Sequence, residues 1–259
     1  MNEPKASLII TTFNWPQALD LVFRTILNQT IIPAEVIVAD DGSHMDIESI
    51  ISKYRRNFPI VKIWQPDKEF RAARARNLAL ARVNYDYVIF IDGDCLLPPN
   101  FLEKHLNLAR DRTIVAGGRY LVNASVTQKL LDNPRKFQLT NLFTSYKFKD
   151  LPLGPLRSIQ HHSWQTVRSC NFGAHTRDIC AVGGFDENYI GWGREDSDMV
   201  VRLIRSGLTI RSGRFGASVA HLHHMDYSRN QLSINNERFQ QTLTDSRSCD
   251  ATKSLLKSL

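Results

Sequence analysis

Three short polar segments each follow an apolar, strand-like run, and they hold the first residues suited to chemistry. They are Thr11–Asn14, Asp40–Ser43 and Asp92–Asp94. In an open α/β sheet, ligands bind outside the carboxyl ends of the strands, so we expect these segments to meet at one edge. A carboxylate pair such as Asp40 and Asp41 also suits a turn that caps a helix, and the pattern leaves that alternative open.

The segment Asp92-Gly93-Asp94 is the more specific of the two acidic clusters. Two acids separated by one residue point the same way along an extended chain, where their charges repel unless a cation or a donor lies between them. Mg²⁺ and Mn²⁺ take oxygen ligands and commonly bridge one or two carboxylates to the phosphates of a substrate. The segment therefore predicts a divalent metal cofactor, Mn²⁺ or Mg²⁺.

A second acidic pair, Glu195-Asp196, follows Gly191-Trp192-Gly193 and precedes a helix with apolar residues at helical spacing. Carboxylates in a first helical turn are favoured by the helix dipole, so capping is the structural explanation. Capping does not account for a Trp between two glycines, which forms a flat surface suited to stacking on a sugar ring. The segment therefore indicates a sugar site beside a pair of acids.

Three histidines, His221, His223 and His224, form a dense cluster after a predicted strand. Residues i and i+2 of a strand face the same side, and neutral imidazole binds metals well. We therefore predict His221 and His223 as metal ligands together with Asp94.

Strand and helix patterns alternate over the first hundred residues, which favours an α/β fold with a mostly parallel sheet flanked by helices. The pattern weakens over 123–169 and returns near Cys170. We expect 123–169 to be a variable, partly helical insert. The expected division is a nucleotide-binding part, 1–122, and a smaller acceptor-, metal-binding and catalytic part, 123–259, within one continuous domain.

The composition of the 259 residues excludes several classes of protein. A hydrophobic content of 42% and a charged content of 23% are ordinary for a globular domain, so disorder is excluded for the chain as a whole. No apolar stretch approaches the roughly 20 residues of a membrane-spanning helix, no secretory signal is evident, and the four cysteines form no Cys-x-x-Cys pair. We expect a cytoplasmic protein. The net charge of +7 permits an anionic membrane surface, a phosphorylated substrate, nucleic acid or no functional patch.

The order and spacing of these motifs resemble glycosyltransferase family 2, whose members have the GT-A fold and use nucleotide-sugar donors. The resemblance rests on the segments 7–15, 39–43, 75–77 and 92–94. In the second half, 183–186, 191–196 and 221–223 resemble the C-terminal catalytic module of β-1,4-galactosyltransferases and chondroitin-type polymerases. Arg194 stands where that module typically has Gly, a departure expected to shift substrate contacts without removing activity.

The resemblance implies roles for the residues of the first half. Asp41 is expected to accept a hydrogen bond from the base, which suggests uracil and a UDP-sugar, and Asp94 is expected to bind the metal. Arg71 and Arg74, three apart on a predicted helix, either face the diphosphate or form a solvated surface. The residues expected to bind the nucleotide-sugar are Thr11, Thr12, Phe13, Asn14, Asp41, Arg71, Arg76, Asp92 and Gly93.

In the second half the resemblance implies that Asp196 is the general base that deprotonates an acceptor hydroxyl, with Glu195 beside it. Trp192, Gly193 and Asp198 are expected to hold the acceptor or the donor sugar. A base on one face and the leaving group on the other imply a single inverting displacement.

The predicted function is metal-dependent transfer of a hexose or N-acetylhexosamine from a UDP-sugar to a glycan or lipid-linked glycan. A bacterial lipopolysaccharide or capsule is the expected setting, with possible peripheral contact at the inner membrane and no nucleic-acid partner. Two alternatives remain: a sugar-phosphate nucleotidyltransferase, which usually needs a glycine-rich loop that Thr11–Asn14 lacks, and a noncatalytic polyanion or glycan binder, which would leave the acids and histidines without a role.

Overall fold

The computed structural model describes residues 5–134, 142–143, 160–214, 216–225, 227–245 and 249–258. The strands are β1 (Ala6–Thr12), β2 (Glu35–Asp40), β3 (Ile60–Trp64), β4 (Tyr87–Asp92), β5 (Cys95–Leu96), β6 (Thr113–Gly117), β7 (Arg119–Leu121), β8 (Gln160–His161), β9 (Asn171–His175), β10 (Thr209–Gly213) and β11 (Val219–His221). Eight of these strands form the central sheet, in the order β3-β2-β1-β4-β9-β6-β10-β8. The helices are α1 (Pro16–Leu27), α2 (Ile47–Tyr54), α3 (Ala72–Leu80), α4 (Phe101–Leu108), α5 (Ala124–Asp132), α6 (Thr176–Ala181), α7 (Glu195–Arg205) and α8 (Leu232–Thr244), with 3₁₀ turns at Trp164–Thr166 and Leu255–Ser258.

The first half of the chain supplies the parallel strands β3, β2, β1 and β4. Their register sets Thr12 beside Asp40 and Thr11 beside Asp92. The carboxyl ends of β1, β2 and β4 therefore meet at one edge of the sheet, as the alternating pattern predicted, and the three polar segments are brought together there.

The second half completes the same sheet. Strand β9 lies antiparallel between β4 and β6, β10 is parallel to β6, and β8 is an antiparallel edge strand. The prediction of a mostly parallel sheet flanked by helices is confirmed. The functional division at residue 122 stays a prediction, although both halves contribute strands to this sheet.

A small three-stranded sheet, in the order β5-β11-β7, lies beside the main one. In it His221 pairs with Cys95 on one side and with Leu121 on the other. Because Cys95 directly follows Asp94, this pairing holds the end of β11 next to the acidic segment that follows β4.

Alternating residues of the central strands bury two apolar faces. Leu8 and Ile10 face the layer that contains α1, α2 and α4, whereas Ile9 and Phe90 face the layer that contains α3 and α7. Burying each such side chain contributes roughly 1.5–3 kcal/mol to the free energy of unfolding. The carboxyl edge of the sheet therefore lies on a well-packed core. Within the described part of the chain, no helix has the length and apolar character needed to cross a bilayer.

The predicted insert 123–169 is described only in part. Helix α5 begins after Asn123, whose side chain accepts a hydrogen bond from the backbone N–H of Val126 at 2.9 Å. This is the usual N-cap arrangement, and it explains why a helix begins at this point. Residues 135–141 and 144–159 lie outside the described part.

Candidate active site

A cavity of about 480 Å³ lies at the carboxyl ends of β1, β2 and β4. Its wall includes Thr12 and Asp41 from the first half of the chain, and Trp192, Glu195 and His221 from the second. Of the other predicted site residues, Thr11, Phe13, Arg76, Asp92, Gly93, Asp94 and His223 also line it. The fold therefore brings most of the predicted site to one place.

Asp41 is a buried acceptor at one end of this cavity. Its Oδ1 accepts a hydrogen bond from Gln65 Nε2 at 2.5 Å, and its Oδ2 accepts one from the backbone N–H of Arg71 at 2.8 Å. Burial raises the pKa of Asp41, and these two donors oppose the rise. Each carboxylate oxygen has a second lone pair, so Asp41 can still accept a hydrogen bond from a ligand.

Gly42 allows the chain to turn sharply after Asp41. Its φ of +94° lies in the left-handed region, and a Cβ built there would stand 2.5 Å from the backbone nitrogen of Asp67. A glycine is therefore required by both conformation and space.

Gly93 holds the acidic segment close to β1. Its N–H donates to the carbonyl oxygen of Thr11 at 2.7 Å, and a Cβ at this position would lie 3.1 Å from Thr12 Oγ1. The close approach fixes where Asp92 and Asp94 enter the cavity.

Asp94, His221 and His224 form a candidate metal centre. The Nε2 atoms of His221 and His224 each lie 3.5 Å from a different oxygen of Asp94, and the three potential ligand atoms are all within 4.8 Å of one another. The Nδ1 atoms face the carbonyl oxygens of Leu222 at 3.0 Å and Met225 at 2.7 Å. Donation from Nδ1–H to these carbonyls leaves both Nε2 lone pairs facing Asp94, the arrangement that metal-binding histidines use. The residues present therefore fit a divalent metal.

The prediction of His223 as a metal ligand is corrected to His224. Strand β11 ends at His221, so the alternation of a strand does not extend to the following residues. His223 lines the cavity but is exposed, and its backbone N–H donates to Thr127 Oγ1 at 2.9 Å.

Arg76 lines the cavity and is held among acids. Its Nη1 lies 3.1 Å from Glu195 Oε1, its Nη2 lies 3.2 Å from Asp92 Oδ1, and its Nε donates to Thr11 Oγ1 at 3.1 Å. Burial, aided by the charge of Asp196, raises the pKa of Glu195 to about 7, and the Arg76 guanidinium opposes that rise. Arg76 thus joins the strand-end acids to the start of α7.

Asp196 lies next to the cavity wall, beside Glu195. Its Oδ2 accepts a hydrogen bond from the backbone N–H of Ser169 at 3.1 Å, and its Oδ1 accepts one from the N–H of Ser197 at 2.7 Å. These backbone donors hold the carboxylate in one orientation. Ser169 itself lines the cavity, whereas Asp196 is set just behind that wall.

Asp198 does not face the sugar site. It is 2% exposed and forms an ion pair with Arg202 at 2.7 Å one helical turn later. It also accepts hydrogen bonds from Tyr189 and Thr242. Because residues i and i+4 share a helix face, Asp198 and the buried Arg202 lie on the side of α7 that packs inward. The expected contact with a sugar is therefore replaced by a structural role.

Two further predicted residues support loops. The Asn14 side chain accepts hydrogen bonds from the backbone N–H groups of His44 at 2.8 Å and Met45 at 3.2 Å, which joins the loop after β1 to the loop after β2. Gly193 takes a φ of +106°, and a Cβ there would lie 3.1 Å from Leu232. Both residues therefore support loops next to the cavity and do not line it.

Arg71 and Arg74 are directed away from the cavity. Arg71 is the N-cap residue of α3, so it does not share a helical face with Arg74. Its guanidinium donates to the carbonyl oxygen of Pro66 at 2.6 Å, and that of Arg74 donates to Gln65 Oε1 at 2.6 Å. Of the two alternatives, a diphosphate contact or a solvated surface, neither describes these contacts, which lie around Gln65, the hydrogen-bond partner of Asp41.

The sequence pattern missed a basic part of the wall. Arg119, Arg168 and Arg229 all line the cavity. None of them belongs to a motif with recognisable spacing, and Arg168 lies within the poorly periodic insert. Only the fold brings them to the site.

The loop that carries Trp192 packs on the start of α8. Trp192 is 40% exposed at the cavity, and the Arg229 guanidinium lies 5.1 Å from its ring centroid. Arg194 has a φ of +79°, in the left-handed region that favours glycine. In this chain its side chain is held by Asn236 Oδ1 at 2.7 Å and by the ring of Phe239.

The model of the family described as Glycosyl transferase family 2 matches residues 7–168, more than half of the sequence. The chain belongs to glycosyl transferase family 2. A second model, described as the N-terminal domain of galactosyltransferase, matches residues 158–226 of this family 2 chain. Together the two matches include the residues that line the cavity except Tyr227 and Arg229.

Named relatives of this family 2 chain include polymer synthases. A hyaluronan synthase of Pasteurella multocida is 30% identical over 78% of the chain and 23% of its own length. A chondroitin synthase of Escherichia coli is 29% identical over 80% of the chain and 33% of its own length. The chain thus spans about a quarter to a third of these two relatives.

Solved structures show that the fold is of the GT-A type. Staphylococcus aureus TarS superimposes with a TM-score of 0.68 at 15% identity, covering 94% of this chain and 40% of TarS. A Pyrobaculum calidifontis mannosyltransferase, solved with GDP-Man and Mn²⁺, superimposes with a TM-score of 0.64 at 14% identity, covering 96% of this chain and 66% of that protein. The GT-A fold predicted from the motifs is confirmed.

Proposed function

We propose that this family 2 chain is a metal-dependent, inverting glycosyltransferase that moves a hexose or N-acetylhexosamine from a UDP-sugar to a glycan hydroxyl. One observation carries the proposal. The Asp94–His221–His224 cluster opens into the same cavity as the buried acceptor Asp41 and the acid Glu195. A nucleotide-sugar needs these three elements: an acceptor for its base, a cation site for its diphosphate, and an acid or base near the sugar.

The proposed donor is a UDP-sugar. The N3–H of uracil is a donor that suits a buried carboxylate, and Asp41 has a lone pair left on each oxygen. TarS, which shares the fold, has been solved with UDP and with UDP-GlcNAc. Both observations support uridine as the nucleoside.

The proposed cofactor is Mn²⁺ in preference to Mg²⁺. Asp94 offers a carboxylate oxygen, whereas His221 and His224 offer imidazole nitrogens. Mg²⁺ favours oxygen ligands, and imidazole suits transition metals better. When bound, the metal would supply Lewis-acid stabilisation of the departing diphosphate.

For the acceptor step we propose Asp196 as the general base. Ser169 and Ser197 orient its carboxylate beside the cavity, and Glu195 on the wall contacts Arg76. A base beside the cavity that also holds the Asp94 cluster suits a single displacement with inversion at the sugar carbon.

The proposed setting is bacterial surface-polysaccharide synthesis, such as lipopolysaccharide or capsule, at the cytoplasmic face of the inner membrane. The relatives that make hyaluronan and chondroitin support a polysaccharide product. The net charge of +7 and the exposed apolar side chains of Leu121 and Met225 near the cavity support contact with an anionic lipid surface. Flotation with phosphatidylglycerol vesicles at low salt should recover the protein, and recovery no better than with phosphatidylcholine vesicles would contradict membrane contact.

Isothermal titration with UDP in the presence and absence of Mn²⁺ tests the proposed function. UDP should bind more tightly with Mn²⁺, and Asp94→Ala should abolish that gain because it removes one ligand of the cluster. Asp111→Ala, at an exposed surface ion pair with Arg177, is the matched control and should keep the gain. Absence of UDP binding, or a metal effect that survives Asp94→Ala, would overturn the proposal.

A further inference from the structure

Three arginines give one part of the cavity wall a basic character that the transfer reaction as described above does not use. Arg119, Arg168 and Arg229 are all exposed and all line the cavity. Over the ranges that the structure describes, the guanidinium groups of Arg119 and Arg168 form no hydrogen bond or ion pair. Two charged side chains in a binding cavity are therefore available to a ligand.

Arg168 is placed by the same turn that positions the proposed base. It directly precedes Ser169, whose backbone N–H donates to Asp196 Oδ2 at 3.1 Å. A group bound by Arg168 would therefore lie close to the carboxylate that is proposed to deprotonate the acceptor hydroxyl.

Arg119 belongs to β7 and lines the same cavity as Arg168. It pairs in register with Val219, two residues before the metal-ligand candidate His221. Leu121, on the same side of β7 by strand alternation, is 65% exposed and also lines the cavity. The strand thus presents a cation and an apolar side chain to the same space.

Arg229 is coupled to the proposed sugar platform. Its guanidinium lies 5.1 Å from the centroid of the Trp192 ring, within the range of a cation–π contact. A sugar ring stacked on Trp192 would therefore have a cation at its edge.

An anionic acceptor could bind beside the acids of the site only if cations lie nearby. Glu195 and Asp196 would repel an anionic group brought close to them, and the nearby cation Arg76 is already bound to Asp92 and Glu195. The cavity side chains of Arg119 and Arg168 can offset that repulsion, because guanidinium binds carboxylate and phosphate through paired hydrogen bonds. A neutral acceptor would need no such group.

We propose that the acceptor is an anionic glycan, whose carboxylate or phosphate is bound by Arg119 and Arg168 while its sugar ring stacks on Trp192 beside Arg229. This inference rests on the proposed transferase function and specifies its acceptor class. The three arginines are specificity residues for the acceptor.

The test uses matched p-nitrophenyl acceptors: a β-glucoside, the β-glucuronide and the β-glucoside 6-phosphate, together with the corresponding galactose series. Transfer from the UDP-sugar that the protein hydrolyses is measured for the wild type and for Arg119→Gln and Arg168→Gln. Arg82→Gln, at an exposed arginine outside the cavity, makes the same change of charge and serves as control.

We expect kcat/KM for an anionic acceptor to exceed that for its neutral partner by roughly 10- to 100-fold, since a hydrogen bond to a charged group is worth that much. The ratio should fall towards one in Arg119→Gln and Arg168→Gln and should persist in Arg82→Gln. The carboxylate and phosphate arms show which anion is preferred.

Four results would overturn the inference. They are equal or better transfer to the neutral acceptors, a ratio that persists in both cavity variants, donor hydrolysis without transfer to any anionic acceptor, and a loss of UDP affinity that matches the loss of transfer. The last would assign the arginines to the donor diphosphate. Absence of both UDP binding and donor hydrolysis would instead overturn the proposed function, and this inference with it.

Discussion

Replacing Arg76 with Met removes a buried cation from between two acids and should destabilise the fold strongly. The Arg76 side chain is 3% exposed, that of Glu195 is 10% exposed and that of Asp92 is 30% exposed. The Met side chain keeps much of the volume, so the change acts mainly on charge. Removing one partner of a buried ion pair costs about 3–5 kcal/mol, and the partial exposure of Asp92 places this case near 3 kcal/mol.

The pH dependence follows from Glu195. Its pKa of about 7 in the fold lies above its ordinary value of 4.5. Its contribution to stability is therefore fully present below pH 4.5 and is lost as the pH rises through 7. Without Arg76 the ionised Glu195 carboxylate is buried with no opposite charge beside it. The loss of stability should therefore be larger at about pH 8 than at about pH 5, where about 1 kcal/mol from Asp92 remains.

Urea unfolding of the wild type, Arg76→Met, Glu195→Gln and the double variant provides the measurement. The double variant should recover about 2 kcal/mol relative to the sum of the single changes at about pH 8, because the uncompensated acid is gone. Arg82→Met, at an exposed position, should change stability by no more than about 0.5 kcal/mol. A loss below about 1 kcal/mol in Arg76→Met at about pH 8, or a loss that does not depend on pH, would refute the reasoning.

Three further outcomes are expected. Asp196→Asn should lower turnover by roughly 10²–10⁴-fold and spare UDP affinity, as expected of a general base, and unchanged turnover would remove Asp196 from the mechanism. Arg194→Gly should leave the protein about 1 kcal/mol more stable than Arg194→Ala, because both lose the Arg side chain but only Gly relieves the φ of +79°. If Arg194→Ala is the more stable of the two in thermal or urea unfolding, residue 194 is not strained. Gly42→Ala should cost about 2 kcal/mol or more and weaken UDP binding, since its Cβ would stand 2.5 Å from the Asp67 backbone nitrogen; wild-type stability in urea unfolding would contradict that clash.

The strand-end segments could be predicted from sequence because each combines an apolar run with polar residues at its end. The strand register then brings these polar ends together, since Thr11 pairs with Asp92 and Thr12 with Asp40. Local pattern and fold agree in this half of the molecule, so the predicted clustering at one sheet edge is found.

The second half was harder to predict because its contacts are distant in sequence. Nothing in the local pattern shows that β9 runs antiparallel between β4 and β6, or that β11 ends at His221 and so brings His224 to Asp94. The inward orientation of Asp198 likewise depends on Arg202 being buried in the same core.

The cavity arginines show the same limit. Arg119, Arg168 and Arg229 come from a short strand, a turn and a loop, with no shared spacing. A net charge of +7 indicated that basic groups exist but not where they lie. Only the tertiary structure shows that these three line the cavity, whereas Arg71 and Arg74 lie around Gln65.

Anomalous diffraction at the manganese edge, from crystals grown with UDP and Mn²⁺, tests the central claim most directly. We expect one strong peak among Asp94 and the Nε2 atoms of His221 and His224, with the UDP diphosphate beside it and the uracil at Asp41. A peak elsewhere, or UDP bound in this cavity with no metal among these three residues, would contradict it.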